Sequence, residues 1–314
     1  MEAFSKDRAK RLAENYQLLQ KEFKLTSVTQ KRLAAFYYAQ RDRPIPADAV
    51  RQQEKHIRKS VSPLSGFRGL AILPLAAQLT LRDDPKLFER TESIYQRLRQ
   101  SLPYSDHLIL ASLALAVHAD THHMDTAVER FVALHAQLKK TYRVRLRSEE
   151  RVLLARLALQ EEPVENLVAQ IALCFDGLKT EFSASGPLLG LSLYLVLCGN
   201  PSDGLMKVVD LSRKFREYGQ RVSGRNYMPV LGLLSNADKD LHTVIQETTD
   251  LHEFLKKEKG FSAWYVQKYE LLLYIAGFVA QKSHTQERRD HQTAYISAVA
   301  TGIALAQQAA VANL

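Results

Sequence analysis

The sequence predicts an all-α fold: an array of antiparallel helical hairpins, α-solenoid-like, with an N-terminal helical cap. Three observations predict it. Short segments rich in Leu and Ala recur along the chain, reading GLAILPLAAQLTL, HLILASLALAV, RVLLARLAL, PLLGLSLYLVL, MPVLGLLS and YELLLYIAGFV. With Leu75, Leu113, Leu157, Leu195, Leu234 and Ile275 as equivalent points the spacing is about 40 residues, the period of stacked helix pairs. Longer segments with a single apolar stripe lie between them, and alternating Val/Ile/Thr runs of strand type are nearly absent.

Before the repeats, residues 7–24 and 27–40 read as two amphipathic helices, with Leu12, Tyr16, Leu19 and Phe23 on one face, then Val28, Leu33, Phe36 and Tyr37. The two prolines of RDRPIPAD bar continuation, so a third helix begins near residue 48 and runs to about 60. The loop SVSPLSGF leads into the first hairpin. Residues 1–62 therefore form an N-terminal helical segment and 63–314 the hairpin array, which ends in an Ala-rich helix.

In the array, the short segments are apolar on nearly all faces, as buried helices are, and each long one can cover a short one through its stripe. The stripes are Leu87, Thr91, Ile94, Tyr95 and Leu98; Ala127, Val128, Phe131, Val132, His135 and Leu138; and Leu167, Ile171, Phe175, Leu178 and Phe182. Leu205, Val208, Val209, Phe215 and Tyr218 continue the series, followed by Leu241, Val244, Ile245, Thr248, Leu251 and Leu255. Asp84-Pro85, Glu162-Pro163 and Asn200-Pro201 mark the starts of long helices, because proline lacks the N–H that the first helical turn leaves unpaired. HADTHHMD, residues 118–125, occupies the same kind of junction; Thr126 with Glu129 has the spacing of a capping box, and Asp120 or Thr121 caps the helix if it starts earlier. His118, Asp120, His122 and His123 could converge on a metal in a tight loop, but the turn explains these residue types without one, and no metal is expected.

SPLSGFRGL, IYQRL, SDHLILASLALA, the segment from AVERFVALHAQLKK to SEERVLLARLA, and NYMPVLGLL together resemble a family of uncharacterised helical proteins of low-GC Gram-positive bacteria, catalogued as domain of unknown function number four thousand and three. The resemblance spans roughly residues 60 to 280. It implies an all-helical fold and no established activity. KKTYRVRLRSEE stands where the histidine-then-LT pattern of that family is expected.

The formal net charge is +9, which fits solubility or a polyanionic partner. Basic residues gather toward the ends of the long helices. Lys139, Lys140, Arg143, Arg145, Arg147, Arg213, Arg216, Arg221 and Arg225, with Arg68 at the first hairpin, are the candidate residues for a ligand or polyanion. Cations at a helix C-terminus also offset its partial negative charge without any partner, by about 0.3–1 kcal/mol each. For Arg68, bonding to carbonyls of the preceding loop is the commoner role.

Catalytic motifs are lacking: no GxSxG, no GxxxxGK[ST], no GxGxxG after a strand. Cys174 and Cys198 lie in apolar stretches, as small buried hydrophobes in a reducing compartment do. Glu149-Glu150 and Glu161-Glu162 are neighbours that point apart on a helix. His135, the Phe36-Tyr37-Tyr38 trio and Trp264 read as core or rim. The expectation is a non-enzymatic cytoplasmic interaction or scaffold protein, without cofactor or transmembrane segment. It binds a peptide, an acidic protein or itself, as a homo-oligomer, through a groove or a basic edge. The alternatives are nucleic-acid binding through that edge and a metal-dependent enzyme using residues 118–125.

Overall fold

A computed structural model describes residues 3–118, 123–142, 146–183, 185–220, 222, 224–281 and 285–312. Among them are fifteen α-helices and two single 3-10 turns, with no strand, so the chain is all-α. In order these are α1 (Ala3–Glu22), α2 (Val28–Ala39), α3 (Ala47–Ser60), α4 (Ile72–Arg82), α5 (Leu87–Arg99), α6 (Asp106–His118), α7 (Met124–Tyr142) and α8 (Glu150–Leu157). They continue as α9 (Val164–Glu181), α10 (Ser185–Leu197), α11 (Pro201–Glu217), α12 (Met228–Ser235), α13 (Leu241–Leu255), α14 (Lys268–Val279) and α15 (Gln286–Ala312). The six apolar repeats are the even-numbered helices from α4 to α14, and the single-stripe segments are the odd ones between them.

The chain divides into two compact units. The first comprises Met1–Gln17, Tyr38–Pro44 and Ala169–Ile296; the second comprises Leu18–Tyr37, Ile45–Val168 and Ser297–Leu314. The N-terminal helices and α15 thus contribute residues to both.

In the second unit α6 packs against α5, α7 and α8, while α5 also meets α7 and α3 meets α4. Short helices neighbour short ones and long helices neighbour long ones, an arrangement compatible with the expected hairpin array. Phe67 closes the loop before α4, edge-on to Phe88 and Tyr95 with ring centres 5.7 and 4.9 Å away. In α5 and α7 one arginine secures the hairpin that follows. Arg90 of α5 donates to Ala116 O at the end of α6, and Arg130 of α7 donates to the carbonyls of Ala158, Gln160 and Glu162 just past α8. The two arginines are about 40 residues apart, one repeat.

In the first unit α12 lies against α10, α11 and α14, and α13 against α11 and α14. Gly232 lets α12 approach α10: a methyl group there would stand 2.5 Å from Leu191 Cδ1. Tyr194 of α10 stacks on Tyr295 with centres 4.5 Å apart, and Lys239 and Glu247 form a buried ion pair of 2.6 Å.

The junctions differ in detail from expectation. Asn200 Oδ1 accepts from Asp203 N with Pro201 in the first turn of α11, as expected. Pro163 lies one residue ahead of α9 and its carbonyl accepts from Leu167 N, whereas Pro85 falls in a turn before α5 in which Asp84 accepts from Lys86 N. The helix α7 already begins at Met124, which places Thr126 inside it and leaves no Thr126–Glu129 capping box. Among the described residues α15 is the one helix long and apolar enough to cross a membrane, and half of its most apolar window is buried.

Candidate functional site

Three of the ten cations singled out in the sequence, Arg68, Arg147 and Arg213, bond to carbonyls or carboxylates of the chain. Arg68 donates to Arg58 O in the last turn of α3 and to Val61 O, a carbonyl of the entry loop. Arg147 reaches Glu149 at 2.5 Å and Glu150 at 3.4 Å, and Arg213 pairs with Asp210 at 3.5 Å. Arg225 lays its guanidinium against Gly186, where a methyl would meet Nη2 at 2.8 Å. Lys139 and Lys140, on the last turn of α7, and Arg216, on that of α11, are exposed. Arg143, Arg145 and Arg221 lie outside the described residues.

Residues 119–122 of HADTHHMD also lie outside them, and no group of three potential metal ligands occurs among the described residues. Cys174 is buried and Cys198 half-buried, and burial of their thiols pushes them up to about 11 and about 12, away from the thiolate form. The Phe36-Tyr37-Tyr38 trio is core. Trp264 is neither core nor rim: it is 94% exposed, because the segment after α13 is anchored by Phe261 and Val266 instead, with Phe261 edge-on to Tyr16.

What the structure brings together is a different set of arginines. In the first unit a cleft of about 510 Å³ is lined by Phe4, Arg8, Gln40, Arg41, Arg43, Gln281, Gln286 and Arg289. Four stretches of sequence supply it: the start of α1, the turn that ends α2, the residues after α14, and the first turn of α15. That turn exists because Asp42 adopts a left-handed backbone (φ 51°) and Pro44 follows, so Arg41 N and Arg43 N both fold back to Tyr38 O. Arg41 and Arg43 thereby flank one bend.

The carbonyl of Gln40 at this helix end accepts from Arg8 Nε at 3.2 Å and from Gln281 Nε2 at 3.1 Å, which ties α1 and the end of α14 to the turn. Arg8 also lies over the Phe4 ring, 3.5 Å from its centre, and Arg289 donates to Gln286 Oε1 at 3.0 Å. Burial is the main cause that lowers the Arg8 pKa; Asp42 opposes it and Arg289 adds to it. The two guanidinium groups thus repel one another. Asp42 is shared with Arg11, 3.6 Å away. Gln40 Oε1 accepts from Thr293, while the buried atoms Gln40 Nε2 and Gln281 Oε1 have no hydrogen-bond partner.

Sequence reasoning treated RDRPIPAD only as a helix breaker and did not reach this cleft. The legible signal was the pair of arginines around one aspartate at a helix end, together with Arg288-Arg289.

A family model described as Protein of unknown function (DUF4003) matches residues 15–310. The span contains every cleft residue except Phe4 and Arg8, and it extends the likeness first read in the packing segments. No curated protein and no solved structure matches the chain.

Proposed function

We propose that this chain, which belongs to the DUF4003 family of proteins of unknown function, is a non-enzymatic binding protein whose partner carries negative charge. The observation that carries the reading is the convergence of Arg8, Arg41, Arg43 and Arg289 on one cleft, with no carboxylate among its described lining residues. Arginine keeps its proton at every physiological pH, so such a lining binds charge but does not shuttle protons. Binding is therefore what it is fitted for. The acidic peptide or protein expected from the sequence remains a candidate partner, with the cleft in place of a basic edge as its contact.

The test is fluorescence anisotropy of a labelled oligo-glutamate peptide and of small anions against the full chain. Binding should weaken with salt, and Arg43→Gln and Arg289→Gln should each lower affinity about tenfold or more, the scale of one charge-assisted contact. Lys139→Ala with Lys140→Ala should change little. No affinity for any anion, or affinity indifferent to both arginine variants, would refute the reading.

A further inference from the structure

We infer that the arginine cleft of the first unit is a binding site for a small phosphate monoester, its phosphate held between guanidinium forks and its organic part against Phe4 and the amides of Gln281 and Gln286. This rests on the anion-binding reading above and narrows it. The first argument is charge. A side-chain carboxylate brings one negative charge and two oxygens to a lining of four cations. A phosphate monoester brings about −1.5 to −2 at neutral pH and three acceptor oxygens. The lining cations are all arginine, whose planar fork matches phosphate oxygens two at a time.

The second argument is room. The cleft, about 510 Å³, is far larger than a bare tetrahedral ion needs and falls within the roughly 300–1,000 Å³ of small-molecule sites. An organic moiety fills the remainder. Its chemistry is read from the lining, where the amides of Gln40, Gln281 and Gln286 stand beside Phe4. Amides both donate and accept, as hydroxyls do, so a polyol or sugar moiety suits this lining.

The third argument is readiness. Arg8 is fixed by the Phe4 ring and by Gln40 O, and Arg289 is steadied by an exposed bond to Gln286. Little side-chain freedom is left to lose when a ligand arrives. The repulsion between these two guanidinium groups is relieved by the same event.

Calorimetric titration of the full chain with glucose 6-phosphate, AMP, inorganic phosphate, glucose and an oligo-glutamate peptide tests the proposal. Arg43→Gln and Arg289→Gln are titrated alongside, after their melting curves show them folded. At least one ester should bind at least about tenfold more tightly than inorganic phosphate, glucose should not bind, and both variants should weaken the ester about tenfold or more. If the peptide binds and neither ester does, the phosphate-ester inference falls while the anion-binding reading stands. Inorganic phosphate binding as tightly as both esters would also overturn it, as would ester binding that ignores both variants. If no anion binds at all, both readings fall together.

Discussion

At the scale of single residues, charges sit where the sequence hides them. Glu149 and Glu150 look like two solvated neighbours on a helix, yet Glu150 is 2% exposed, and burial pushes its carboxyl up to about 7 against the opposing pull of Arg147. Glu149 on the same turn, Arg147 before it and Arg151 after it are the charged groups around it. His107, whose Nε2–H donates to Ala298 O at 2.9 Å, is held down at about 4, chiefly by burial. The two act in opposite senses. For Glu150 the folded value exceeds the ordinary 4.5, so stability present at low pH is lost as pH rises toward about 7. For His107 the folded value lies below 6.5, so stability present above 6.5 is lost as pH falls toward about 4. Glu150→Gln should therefore raise stability at pH 8 by about 1–3 kcal/mol and steepen the loss between pH 7 and pH 5. Urea midpoints across that range measure it, and a profile parallel to the parent chain's would contradict the buried carboxyl. Neither burial was legible locally, because both depend on α15 and α8 packing on α6.

At the scale of elements, the repeat was legible because it is written in hydrophobic period: all six short helices and all five long ones lie where the Leu/Ala segments and stripes place them. The clasps were not legible, since Arg90 and Arg130 each resemble any solvated cation on a long helix. Arg130 satisfies three carbonyls beyond α8 at 3.0, 2.6 and 2.6 Å, groups that a helix end otherwise leaves to water. Arg130→Ala should cost about 2–4 kcal/mol and raise amide exchange in residues 158–163 before it does so elsewhere. Uniform exchange at a lowered melting temperature would instead show a global role. Gly232 sets the other limit on packing. Alanine in a helix interior ordinarily gains about 0.5–1 kcal/mol over glycine. Here its methyl meets Leu191, which is fully buried and has nowhere to retreat, and overpacking costs about 1–3 kcal/mol. Gly232→Ala should thus lower stability by about 1 kcal/mol in denaturant titration, and a stabilised variant would show that α10 and α12 can part.

At the scale of the whole molecule, part of the positive charge expected along helix ends is met by carbonyls and carboxylates of the chain itself, while the cleft draws its arginines from segments outside the repeat. No periodicity could find a site whose parts stand at residues 4–8, 40–43, 281 and 286–289. Only folding collects them. The same consideration governs α15, whose length and composition admit a bilayer. Its buried residues Ala298, Ala300, Thr301, Ile303 and Ala304 belong to the second unit's interior, where Ser297 meets Tyr37 OH at 2.8 Å and Gln307 meets Thr29 at 3.1 Å. Hydrogen bonds to side chains of other helices tie this helix to protein, and burying its apolar face there contributes about 25 cal/mol per Å² that insertion into lipid would have to replace. Phase separation in a cloud-point detergent should accordingly leave the full chain in the aqueous phase, and Thr29→Ala with Tyr37→Phe should not move it. Recovery in the detergent phase would mean that α15 prefers lipid to the interior described for it.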